Sequence, residues 1–75
     1  MKGFVRMVAG DKRFGFIRCG DSDYFFHKED YLSHWDDLVE DINSRHVTVE
    51  VEFESLSTPK GPRARNVTRM TEFSS

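Results

Sequence analysis

Residues 12–27 of this 75-residue chain read KRFGFIRCGDSDYFFH, two aromatic-rich runs that alternate with period two around a tight-turn signal. That period sends successive side chains to opposite faces of a strand. Lys12, Phe14, Phe16 and Arg18 therefore share one face, while Gly15 and Ile17 take the other. On the second run Asp23, Phe25 and His27 share a face, with Tyr24 and Phe26 opposite. Pairing the runs across Cys19–Ser22 collects three phenyl rings, an imidazole and flanking cations on one continuous surface. Such a surface suits unpaired nucleobases, which stack on rings while their phosphates meet Lys or Arg.

Energetics puts a second arrangement beside this one. A chain this short forms one small domain that buries only about 60–65% of its unfolded surface, leaving a net stability of a few kcal/mol. Each Phe left in water forfeits roughly 1.5–3 kcal/mol of burial. Three outward rings thus forgo an amount comparable to the whole stability. The alternative is a core of Phe14, Phe16 and Phe25 with the faces inverted. Against it stand Gly15, a poor core residue, and Lys12 and Arg18, which share the phenyl face.

Residues 47–54 (VTVEVEFE) alternate without a break, predicting Val47, Val49, Val51 and Phe53 inward and Thr48, Glu50, Glu52 and Glu54 outward. Residues 3–8 have strand composition, and Gly10-Asp11 signals a turn into the next strand. Ser55–Arg63 reads as a Pro/Gly loop, Ala64–Met70 as a closing strand and Glu72–Ser75 as a frayed tail. Between residues 29 and 43, Tyr31, Trp35, Leu38 and Ile42 recur at helical spacing with Leu32 and Val39 beside them, and Asp30 is a candidate cap. Five strands without a full-length helix suit a small closed or partly closed barrel, which also protects its edges.

The formal net charge is −2, an unpromising total for a polyanion binder. Its distribution is more favourable. Residues 1–18 carry Lys2, Arg6, Lys12, Arg13 and Arg18 against Asp11 alone, and residues 60–70 carry Lys60, Arg63, Arg65 and Arg69 with no acid. Acids concentrate in 36–54, which predicts a basic face and an acidic back. Cys19 is the only cysteine, so no internal disulfide can form and a reducing compartment fits. No apolar run approaches the roughly 20 residues of a membrane span, and Met1-Lys2-Gly3-Phe4 lacks a signal-peptide core. The expectation is a cytoplasmic, free-standing protein with no membrane partner. His34 and His46 have no metal-ligand spacing with Cys19 or each other, so neither metal nor cofactor is expected. Nothing pairs a nucleophile with a base, so no enzyme is expected either.

The central stretch resembles the paired ribonucleoprotein motifs of the cold-shock domain family. The first motif, roughly K-G-F-G-F-I, stands here as Lys12-Arg13-Phe14-Gly15-Phe16-Ile17, and the second, roughly D-V-F-V-H, as Asp23-Tyr24-Phe25-Phe26-His27. The likeness continues upstream through Gly3, Val5 and Arg6. Downstream, Lys60-Gly61-Pro62-Arg63-Ala64-Arg65-Asn66-Val67 looks like the family's G-P-x-A-x-N-V ending. Only residues 28–57 align loosely. The resemblance implies an all-β fold, a five-stranded antiparallel oligonucleotide/oligosaccharide-binding (OB) barrel with a short helical turn in the long loop after the third strand. It spans residues 1–70, with 71–75 a C-terminal tail.

The resemblance also implies a ligand, single-stranded RNA or DNA held with low sequence specificity, and RNA-chaperone activity. Phe14, Phe16, Phe25 and His27 would stack bases, Lys12 would meet phosphate or a base edge, and Arg6 lies in the matching first strand. Lys60 and Arg63 fall in a loop that approaches the ligand in the family. Three residues depart from the pattern. Met7 stands where the family usually has a stacking Trp, Lys28 replaces an aromatic after the motif histidine, and Arg13 replaces a glycine. Together these predict fewer stacked bases and greater salt sensitivity. Trp35 has two readings: an aromatic folding onto the ligand from the long loop, or a core residue packed with Tyr31 and Leu38. Met7, Lys28 and Trp35 also motivate a rival function, an OB-fold module that binds a protein or itself. A monomer is expected, with a dimer the self-associating alternative.

Overall fold

The computed structural model describes residues 1–70; the expected tail at 71–75 lies outside the described residues. Five strands, β1 (Lys2–Ala9), β2 (Phe14–Cys19), β3 (Ser22–His27), β4 (Glu50–Thr58) and β5 (Gly61–Arg69), close into a barrel in the order β1-β2-β3-β5-β4. Four of the pairings are antiparallel. The fifth, β3 with β5 through Phe25 and Arg63, is parallel, so the sheet is mixed rather than wholly antiparallel. Residues 28–49 and β4 separate these two strands, which is the long connection that parallel neighbours require.

The barrel interior follows from the alternation. Ile17 and Phe26 are fully buried, as are Val51, Ala64 and Val67, with Val5, Val8, Val49 and Phe53 nearly so. The faces of β2 and β3 are therefore as the alternation predicts, and the inverted phenyl core does not occur. Gly15 shows why a glycine separates Phe14 from Phe16. It points inward, where a Cβ would lie 2.7 Å from the Met7 carbonyl oxygen and 2.9 Å from the Phe26 ring. In β1 the register slips between Val5 and Met7, a bulge that turns both Arg6 and Met7 outward.

Four local expectations need correction. Lys12 is not on the ring-bearing strand: β2 begins at Phe14, and Lys12 sits in the preceding turn. The N–H groups of Lys12 and Arg13 both donate to the Ala9 carbonyl (3.2 and 2.8 Å), and Arg13 takes a left-handed φ of 63° that glycine adopts more readily. Second, Val47 is 41% exposed and precedes β4, which starts at Glu50. Third, the expected loop at Ser55–Arg63 is a hairpin in which Ser55–Thr58 pairs with Gly61–Ala64, leaving only Pro59-Lys60 as the turn. The Thr58 hydroxyl ties that turn, donating to the Gly61 carbonyl at 2.7 Å and accepting the Lys60 N–H at 3.2 Å. Fourth, the helical spacing of residues 29–43 is broken into short pieces: a 3-10 turn at Lys28–Asp30, α1 (Trp35–Val39) and a π turn at Glu40–Ser44. From this segment Tyr31, Trp35 and Leu38 enter the core.

Among the described residues no helix is long and apolar enough to cross a membrane, and no group of three His, Cys, Asp or Glu is placed to hold a metal.

Candidate nucleic-acid interface

Cross-strand register assembles the outer face of the barrel. Met7 pairs with Phe16, Phe16 with Phe25, Phe25 with Arg63, and Arg63 with Leu56, one outward row across five strands. A second row places Phe14 opposite His27. The three phenyl rings form a triangle with centroids 5.5–6.1 Å apart, two of the pairs edge-to-face. Each ring is half-buried. This answers the energetic difficulty in part: rings that shield one another recover burial, and such pairs contribute about 0.5–1.5 kcal/mol beyond area.

His27 is oriented by its own backbone turn. Its Nδ1 accepts the Glu29 N–H at 3.1 Å, so the neutral ring carries its proton on Nε2. The His27 N–H donates to Asp30 Oδ2 at 3.1 Å, completing a reciprocal cap of the Lys28–Asp30 turn. Asp30 is thus not the N-cap that the helical spacing suggests: His27 caps this turn with Asp30 as its third residue, and the N-cap of α1 is His34, which makes no side-chain cap. The same Oδ2 accepts Arg63 Nε at 3.3 Å and Nη2 at 2.9 Å, and the guanidinium carbon lies 5.7 Å from the Phe25 centroid. Beside these groups runs an open groove of about 370 Å³ lined by Phe16, Phe25, Thr58, Lys60, Gly61, Pro62 and Arg63.

The charges sort differently in space than in sequence. Six of the seven arginines lie within 2.7–3.6 Å of a carboxylate: Arg6 and Arg18 at Asp23, Arg45 and Arg69 at Asp41, Arg63 at Asp30 and Arg65 at Glu54. The expected division into a basic face and an acidic back is thus largely neutralised at the arginines. Among the described residues, Lys12, Arg13, Lys28 and Lys60 form no such pair. The Lys28 N–H donates to the Arg13 carbonyl at 2.8 Å, so Lys12, Arg13 and Lys28 gather at the Phe14–His27 end, while Lys60 stands at the hairpin tip.

Of the predicted site residues, Met7, Phe14, Phe16, Phe25, His27, Lys60 and Arg63 come together on this face. Lys12 and Lys28 flank it, and Arg6 is outward but committed to Asp23. Trp35 is apart from it. At 7% exposure it packs edge-on against Phe26 and Tyr31 at 6.0 and 6.1 Å, the core reading of its two. Sequence reasoning missed Leu56, 39% exposed and opposite Arg63, because Ser55–Arg63 reads as a loop. It also missed the Asp30–Arg63 pair, for which 33 residues of separation leave no local signal.

Two pKa shifts lie off the ring face. Burial pushes the Tyr31 phenol up, opposed by the charge of Arg69 and the nearby Ser33 hydroxyl. Hydrogen bonds from Arg65 and Asn66 pull the Glu54 carboxyl down.

A closed five-stranded barrel with an outward ring cluster bracketed by cations is the architecture of small oligonucleotide-binding modules. The family model described as 'Cold-shock' DNA-binding domain matches residues 1–70, and the chain belongs to that family. Nucleic acid is accordingly its class of ligand. Comparison with curated proteins found no match.

Proposed function

We propose that this domain binds single-stranded RNA or DNA with low sequence specificity and acts as an RNA chaperone. The observation that carries the reading is the Phe14–Phe16–Phe25 triangle, half-buried on the outside of a barrel that has a separate core. Bases stack on these rings and on His27, with Met7 a weaker apolar neighbour. Phosphates meet Lys12, Lys28 and Lys60. Stacking of this kind tolerates any base, because every base has a π-face. Chaperone action then needs no chemistry. A protein that binds the unpaired strand but not the hairpin shifts that equilibrium by RT ln(1 + [L]/Kd).

A second reading rests on Met7 and Leu56, each 39% exposed at the two ends of the ring row. Met7 continues the rings directly and Leu56 lies beyond Arg63, an apolar row interrupted by one guanidinium, of the sort that a protein partner or second copy covers.

Fluorescence anisotropy with labelled oligo-dT and oligo-U, repeated over a range of salt, separates the two. Nucleic-acid binding predicts a log–log slope near −0.7 for each phosphate contact. Phe14→Ala/Phe25→Ala should lose about 1–3 kcal/mol of affinity for each ring, about thirtyfold at the least for the pair. Wild-type affinity in the double variant defeats the stacking reading, and concentration-dependent association without nucleic acid favours the second.

A further inference from the structure

We infer that Arg63 is a stacking surface for a base rather than a phosphate contact, with Asp30 its positioning residue. This deepens the proposed function and rests on it. The guanidinium presents Nε and Nη2 to one oxygen of Asp30, at 3.3 and 2.9 Å, and lies over the ring of its cross-strand partner Phe25. Asp30 is itself held: its side chain is 19% exposed, and the same oxygen accepts the His27 N–H. Arg63 therefore sits in a fixed plane, tied at one edge and supported by Phe25, with 41% of its side chain still open. The open groove beside it is also lined by Phe16 and Phe25.

Charge decides between the two roles. Paired with Asp30, Arg63 adds no net charge to its corner of the face. Swinging to a phosphate would strand a half-buried carboxylate beside a polyanion, whereas Lys12, Lys28 and Lys60 have no such partner to abandon. What Arg63 keeps in the pair is its plane, and planar guanidinium groups stack on bases as aromatic rings do. The face thus divides its work: lysines hold phosphate, while the Asp30-tethered arginine extends the platform begun by Phe16 and Phe25.

The test measures oligo-dT affinity against salt for the full chain and four variants. Asp30→Asn keeps an oxygen for the His27 N–H, so the turn stays capped, and a melting curve checks this. Arg63→Gln should weaken binding about tenfold; because it leaves the Asp30 carboxylate unpaired beside the phosphates, the slope is read in the double variant, where both charges are removed. Asp30→Asn should release the guanidinium to phosphate, steepening the slope by about 0.7. It would then bind more tightly than wild type at low salt and less tightly at high salt. Asp30→Asn/Arg63→Gln should return to the wild-type slope, and Lys60→Gln should flatten it by about 0.7. A slope flattened by about 0.7 in Asp30→Asn/Arg63→Gln, or an unaltered slope in Asp30→Asn, overturns the inference alone. Wild-type protein that fails to bind at low salt overturns the functional reading and this inference together.

Discussion

Two aromatic triangles lie on opposite sides of one strand. Phe14, Phe16 and Phe25 cluster outside the barrel with centroids 5.5–6.1 Å apart, and Phe26, Tyr31 and Trp35 cluster inside at 6.0–6.1 Å. Phe25 and Phe26 are consecutive, so the pleat alone sends one to each triangle. The spacing and ring chemistry are nearly the same, yet the inner rings are 0–7% exposed and the outer ones half-buried. Ring clustering by itself does not make a core. The inner triangle gains full burial because residues 31–38 fold over it, whereas among the described residues no segment buries the outer one. A small domain that leaves three phenyl rings half-buried on its surface forgoes stability it could have used, and that surface is the one on which the proposed binding rests.

The largest effect that could break this comparison comes from truncating the two adjacent rings in turn. Phe26→Ala opens a cavity in the fully buried core and should cost about 3–5 kcal/mol, comparable to the whole stability of a domain this size. Phe25→Ala removes a half-buried ring and should cost roughly half that or less. Urea denaturation followed by circular dichroism measures both. Equal losses would mean that the outer triangle is a second core and its exposure carries no functional meaning.

Most of the outer face was legible in sequence because strict alternation assigns faces, and Gly15 marks the inward side of β2. The strand that brings Leu56 to that face was not. Ser-Leu-Ser-Thr-Pro-Lys-Gly has loop composition, and only pairing with Gly61–Ala64 makes it a strand. The β1 bulge was equally hidden, since one inserted residue leaves no compositional trace while turning both Arg6 and Met7 outward. Charge runs misled for a related reason. Local counts see Arg6, Arg18 and Arg63 as a basic set, but Asp23 and Asp30 reach them across strands. Trp35 was balanced between two readings because its spacing from Tyr31 and Leu38 fits packing while its place in the loop fits a ligand. The ring of Phe26 in the core decides it.

An intermediate test uses that same tryptophan. Trp35 is the only one in the chain and belongs to the inner triangle, so its emission reports on the core. It should be blue-shifted, resist acrylamide quenching and change little on titration with oligo-dT, even where anisotropy shows saturation. Strong quenching by the oligonucleotide would mean that the segment around α1 rearranges to bring the inner ring to the ligand, and the separation of the triangles would fail.

The smallest expected effect concerns the polar end of the inner triangle. Tyr31 is 6% exposed, and among the described residues its hydroxyl forms no hydrogen bond, so the nearby Ser33 hydroxyl and the charge of Arg69 offset its desolvation only in part. Burial raises its pKa above the ordinary 10.0. The native state therefore keeps this proton to a higher pH than the unfolded chain does. The stability that follows from the shift is complete below pH 10 and is lost as pH rises through the folded-state value. Tyr31→Phe removes both the desolvated hydroxyl and the titration. Near neutral pH the variant should melt at or slightly above the wild-type temperature, and above pH 10 its advantage should widen. The two proteins differ only at this hydroxyl, so the difference between the two melting curves isolates Tyr31. A constant difference across that range would show that the Tyr31 hydroxyl is solvated, and that the inner triangle is less closed at this corner than its neighbours Phe26 and Trp35 indicate.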